Sequence, residues 1–342
     1  MLGLRWAGAV LGIATCLFAP RVDAQTQSQS WDNIVSAAKK EGRVTVYSAN
    51  PGAPQHVAIA KLFEARYGIH VDILEGVPNA LQERIRTEVA MNSVIADMTH
   101  FGANVQYLMH HQGLLTPHGD APNFSKTTLK PTVDEDIPIF VNAYGILINT
   151  DLVAESDQPK SWLDLLDPKW KGKMLFYDMS RSGSGSSVFG VLQDTFGTAF
   201  HEKLARQEPQ FFGSTSREGQ RRIARGEYAL SMPFVTADMS AMEGLPVKGI
   251  VPKEGLPYTL FSVAAVKGAP HPNAARLLMN FFLEPEAQLV YARSGFPIAL
   301  RGLENEVPEK WRWSVNAKLL GRQNLEGQEE RLRLAARIYL GK

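Results

Sequence analysis

Four short stretches carry residue types able to hold a small solute. Ser180-Arg181-Ser182-Gly183-Ser184-Gly185-Ser186-Ser187 stands directly ahead of an apolar run from Val188. Glycines there relax the backbone so that successive N–H groups converge, and the hydroxyls add donors. Such a loop suits a carboxylate, phosphate or sulfate, with a flexible Ser/Gly linker as the alternative. No Gly-Lys-Ser/Thr closes it, so it is not a phosphate-binding P-loop. Ser48-Ala49-Asn50 ends a β-rich run. Its small side chains let a ligand approach the backbone, and the helix pattern that follows offers free N–H groups; a plain turn on Pro51-Gly52 is the alternative. Asn142 and Tyr144 interrupt a long apolar run, either as ligand contacts or as a hinge with its own hydrogen bonds. Thr99 and His100 close a third β-rich run.

Catalytic signatures are missing. There is no Gly-x-Ser-x-Gly elbow, Gly-x-Gly-x-x-Gly fingerprint or Cys pair, and His201-Glu202 lacks the second histidine of a His-Glu-x-x-His site. Asp134-Glu135-Asp136 reads as a solvated acidic loop and His110-His111 as surface. The expectation is a binding protein, not an enzyme, with no cofactor and no metal; an exported hydrolase is the alternative from another class.

The elements that must position these residues alternate between helix and strand. Helix patterns at Trp31–Glu41, Gln55–Tyr67 and Asn79–Met91 separate strand patterns at Arg43–Ser48, His70–Glu75 and Ile95–Thr99. Ligands bind at strand C-termini in open sheets of this kind. Pro138–Asn149 and Tyr258–Lys267 are long enough to cross between two lobes. A second α/β stretch lies between them, and amphipathic helices follow at Pro272–Phe282 and Glu286–Ser294. Lobe 1 is expected over 28–137, lobe 2 over 138–255, and a return to lobe 1 with C-terminal helices over 256–342.

Residues 1–24 read as an export signal. Arg5 is basic, Trp6–Phe18 is apolar but short for a membrane span, and Val22-Asp23-Ala24 is a small-residue cleavage site. A lipid anchor on Cys16 ranks second. Removing Arg5, Arg21 and Asp23 from 36 basic and 35 acidic residues leaves 34 of each. A neutral mature chain has no global field for nucleic acid or anionic membrane. The only cysteine leaves with the signal, so the core alone must hold the fold. A periplasmic monomer is expected.

Four stretches together resemble the type II periplasmic solute-binding proteins of ABC importers, in the branch that holds ferric-iron binders. They are Gly42–Ser48, Ala96-Asp97-Met98, Ser161–Lys173 and Val266–Ala275, the last followed by Phe281-Phe282 and Glu286-Ala287-Gln288. The resemblance implies a two-lobe α/β fold with a cleft between lobes, hinge closure on a solute, and a cognate ABC permease at the inner membrane. It also implies that the Asn142–Tyr144 region helps hold an anion. One position departs from the pattern. The iron binders carry adjacent tyrosines whose phenolates hold Fe³⁺; here the matching positions are Phe234 and Val235. That removes two hard oxygen ligands and points to a small anionic organic solute, such as a carboxylate, phosphate ester or phosphonate. Ferric iron with a synergistic anion is the alternative. Phe234 then either stacks on the solute or packs the lobe.

Overall fold

A computed structural model of the chain describes residues 23–49, 53–181, 183–212 and 216–342. Most of the expected export signal lies outside these residues. The first part runs α1 (Asp23–Glu41), β1 (Arg43–Ser48), α2 (Pro54–Tyr67), β2 (His70–Glu75), α3 (Pro78–Ala90), β3 (Met98–Gly102), α4 (Ala103–His111), β4 (Leu115–Thr116) and the long strand β5 (Asp136–Asn149). Next come β6 (Met174–Tyr177), α5 (Ser184–Phe196), α6 (Thr198–Ala205), β7 (Gln210–Phe212), α7 (Ser216–Ala224), β8 (Leu230–Val235) and β9 (Val247–Ile250). The last part is β10 (Leu256–Val266), α8 (Pro272–Phe281), α9 (Pro285–Ala292), α10 (Arg312–Val315), β11 (Leu319–Gly321) and α11 (Gln328–Leu340).

Local sequence sets the boundaries. Pro54 opens α2 where a missing N–H does no harm, and Gly68 closes it with φ 69°, donating its N–H to Glu64 O. Ser161 caps a 3₁₀ turn at Trp162–Leu166, with Asp164 reaching back to the Ser161 N–H at 3.0 Å. Pro168 starts a fresh turn there, so the segment never becomes an α-helix. The third strand begins three residues later than its pattern suggests. The buried Asp97 carboxylate is taken up by Thr45 N (2.7 Å) and His271 N (2.6 Å), which fixes the chain before β3 starts. Thr99 and His100 therefore lie inside the strand rather than at its end.

The sheet order is β2-β1-β3-β10-β5-β8-β6-β7, with β4 and β11 on β10 and β9 on β5. β5 changes partners midway. From Asp136 to Ala143 it pairs with β10; from Tyr144 to Ile148 it pairs with β8. One strand thus feeds two cores. The first gathers Val44, Val46, Ile59, Phe63 and Phe281; the second gathers Ile146, Ile148, Trp162, Phe176 and Leu192. The result is a two-lobe α/β fold, as its pattern implied. After β11 the chain docks on the second lobe, where the Tyr339 hydroxyl of α11 sits 2.8 Å from His201 Nδ1 of α6.

Candidate functional site

β1 and β3 are parallel and end toward the β5 crossing, and so do β6 and β8 from the other side. Their C-terminal ends face each other across a cleft, where peptide N–H groups and helix N-termini converge. A cavity of about 380 Å³ lies in it. Ala53, Pro54 and Gln55 form one wall, and Gln220, Arg221 and Asp238 line the other. Among the described residues no side chain caps the N-terminus of α2. Pro54 has no N–H and the His56 N–H is taken by Ala53 O at 3.3 Å, which leaves the Gln55 N–H and the positive end of the helix dipole toward the cavity. Opposite, Arg221 is exposed and forms no ion pair with a described residue, whereas Arg222 and Arg225 are both held by Glu227 (2.8 and 2.5 Å). Asp238 accepts from Gln220 Nε2 at 2.6 Å.

The expected contacts divide into two groups. Ala49, Asn142, Gly183 and Ser184 are half-buried and Arg181 is exposed, and none of the five lines that cavity; Asn50 and Ser182 lie outside the described residues. Arg181 pairs with Asp178 at 3.3 Å. Gly183 has φ 147°, a conformation that favours glycine. Its carbonyl accepts from both the Ser186 and Ser187 hydroxyls at 3.0 Å. Those two hydroxyls are therefore engaged in building the turn. Gly185 is needed for close approach, since a Cβ there would sit 2.5 Å from Asp178 O.

The second group is buried. Thr99 and His100 are almost wholly enclosed; Thr99 Oγ1 bonds Gln106 at 3.1 Å. Ser48 is buried with its hydroxyl 3.2 Å from both His56 Nδ1 and His100 Nδ1. The Tyr144 hydroxyl is 2.6 Å from Thr259 Oγ1, joining β5 to β10 at the crossing, and burial pushes it up to about 12. Phe234 is 1% exposed. It packs in the second lobe with Leu147, Leu175 and Phe212, its ring against Gly249.

Sequence reasoning missed Arg221 and Gln55. Arg221 sits in an Arg-rich helix that reads as a solvated face, and the available signal was weak: three arginines at 221, 222 and 225 beside a single Glu227.

The sequence model of the bacterial extracellular solute-binding protein family matches residues 93–323. The chain is 27% identical over 189 residues to the spermidine/putrescine-binding periplasmic protein of Escherichia coli K12, covering 52% of this chain and 53% of that one. It is 25% identical over 182 residues to a periplasmic protein of Salmonella typhimurium named for 2-aminoethylphosphonate binding, covering 48% and 52%. The chain thus spans about half the length of the curated relatives it matches. Its fold resembles ferric iron-binding protein A of Mannheimia haemolytica in an open conformation, with a TM-score of 0.73, 19% identity and coverage of 88% and 99%.

Proposed function

The chain belongs to the bacterial extracellular solute-binding proteins, and on that footing we propose that it captures a small anionic organic solute between its lobes and delivers it from the periplasm to an ABC permease. The solute class is a carboxylate, phosphate ester or phosphonate. Lobe 1 would take residues 28–137 and the return segment from 256 as far as β11, and lobe 2 residues 138–255 with α11 docked on it, with Asn142–Tyr144 at the hinge. One observation carries the reading: the cavity has the N-terminus of α2 on one wall and, on the other, Arg221, which forms no ion pair with a described residue.

Magnitudes argue for closure. A helix N-terminus contributes about 0.3–1 kcal/mol to an exposed anion and up to ~2 when partly buried. Micromolar affinity requires about 8 kcal/mol. Neither wall supplies this alone, so both must contact the solute, which a hinge motion allows. Arg221 adds the second wall with a planar fork suited to carboxylate or phosphonate oxygens. Ferric iron fits poorly, because Phe234 and Val235 offer no phenolate. Asp238 in the same cavity, together with the polyamine named for one relative, favours a second reading in which the solute carries an amine.

Titration calorimetry on the mature chain decides among these, using 2-aminoethylphosphonate, citrate, a sugar phosphate, spermidine and ferric citrate, alongside native mass spectrometry of the purified protein. The expected result is binding of an acid-bearing solute, recovered intact, that weakens at least about tenfold in Arg221→Ala. Tight binding of spermidine alone, or a coloured ferric complex, overturns the anionic reading.

A further inference from the structure

Directly behind the α2 wall of the cleft lies a closed polar chain of three side chains from three elements. Ser48 is the last residue of β1, and His100 lies beside it in register on β3. His56 comes from the first turn of α2, one residue after Gln55 of the cleft wall. The Ser48 hydroxyl lies 3.2 Å from Nδ1 of each histidine, and the two rings meet edge to face with centroids 3.9 Å apart. His100 Nε2 is 3.4 Å from the Tyr291 hydroxyl of α9. His56 Nε2 is buried and has no partner among the described residues.

The other ring contacts of His100 among the described residues are apolar. Phe140 of β5, Phe261 of β10 and Phe282 after α8 surround the His100 ring at 5.0–6.0 Å. The ionisable groups against the pair, among the described residues, are the two rings themselves and the Tyr291 phenol. Burial holds that phenol well above its usual range, so it stays neutral. Among the described residues no carboxylate faces either histidine to balance a positive charge. Burial accordingly lowers His56 to about 4 and His100 well below its ordinary value, the neighbouring histidine adding to the second shift.

Hydrogen counting points the same way. In the neutral state one histidine donates Nδ1–H to Ser48 Oγ, and the Ser48 hydroxyl donates to the bare Nδ1 of the other. Either assignment of tautomers satisfies the serine. A further proton gives both rings an Nδ1–H. Ser48 must then accept twice while its own hydrogen loses its acceptor, and a cation sits in an aromatic box. Both costs fall on the contact that seats the first turn of α2.

We propose that Ser48, His56 and His100 form a proton-sensitive seat that positions the α2 wall of the cleft, and that acid unseats this wall before the rest of the fold gives way. His56 is the positioning residue, acting on the cleft through Ala53, Pro54 and Gln55. The seat is independent of which solute the cleft takes, so its test uses the ligand-free chain.

Hydrogen–deuterium exchange on the whole mature protein between pH 7.5 and 4, corrected for the intrinsic pH dependence of exchange, reads the seat directly. Amides of residues 53–60 are expected to lose protection by about tenfold or more near pH 4.5, while those of 146–148 in the second core keep theirs. His56→Gln keeps a polar side chain but removes the titrating group, and is expected to hold α2 protection at pH 4.5. If that variant does not fold, NMR titration of the histidine ring carbons in the native protein replaces it. One of the two rings should then protonate with the same midpoint as the loss of α2 protection. The proposal is overturned if α2 stays protected until global unfolding, if His56→Gln loses protection as the native chain does, or if the ring and helix midpoints differ.

Discussion

Phe234 and Val235 alternate across β8, so one ring enters the core around Leu147 and Phe212 while the other side chain faces the core around Tyr144 and Phe176. That alternation separates packing from binding. Phe234→Ala is expected to cost about 3–5 kcal/mol of stability by urea unfolding, since a fully buried ring leaves a cavity. Solute affinity of the folded protein should stay within about twofold; a tenfold loss would mean that the ring touches the solute after all. Three buried histidines set a second residue-scale expectation. His56 and His201 are each lowered to about 4 by burial, and His100 is lowered further below its ordinary 6.5. With folded values below the unfolded one, the unfolded chain binds more protons below pH 6.5. Stability is therefore full above about pH 6.5 and is lost as pH falls toward 4. Calorimetric melts in buffers of different ionisation enthalpy should show nearly one proton taken up per buried histidine on unfolding at pH 5, and His201→Gln should remove about one of them. An unchanged uptake in that variant would place His201 outside the buried set.

The elements were legible where a period and its punctuation agree. α2 needed only Ile59 and Phe63 on one face between Pro54 and Gly68, and β5 announced itself as a run too long for one lobe. What a period cannot give is which side of a strand end looks into a cleft. Ser48, Thr99 and His100 are polar near strand ends, but such side chains can also bond within the fold, as Ser48 does to His100 and Thr99 to Gln106. Arg221 escaped for the converse reason: an exposed arginine on a helix looks solvated until the tertiary fold sets another lobe opposite. Glycines mark where elements touch most closely. A Cβ at Gly145 would lie 2.5 Å from Ile250 O, where β5 meets β9 just past the change of partners. Gly145→Ala must push β9 away, so about 1–3 kcal/mol of destabilisation is expected from denaturant melts. A neutral outcome would show that β9 yields freely.

At the scale of the whole molecule, the sequence balances to zero charge once the expected signal is removed, so long-range attraction cannot gather an anionic solute into the cleft. Capture must come from local contacts that exist only when both walls meet the solute. This ties affinity to shape: a chain that binds by closing contracts on saturation, and one that binds on a single wall does not. Small-angle scattering with the solute identified by calorimetry should therefore show a smaller radius of gyration, and the melting temperature should rise together with it. At a hundredfold excess over Kd the folded state gains about 2.7 kcal/mol, worth several degrees for a chain of this length. Arg221→Ala separates the two walls, because α2 keeps its N-terminus while the opposite wall loses its charge. At that excess a tenfold weaker variant is still about 90% saturated and should keep its contraction while losing about half of the thermal shift; at a solute concentration near the native Kd it should lose most of the contraction, and regain it only when the solute is raised in proportion to the weakened Kd. If contraction near the native Kd matches that of the native chain, the far wall holds the solute through other groups and Arg221 is a bystander.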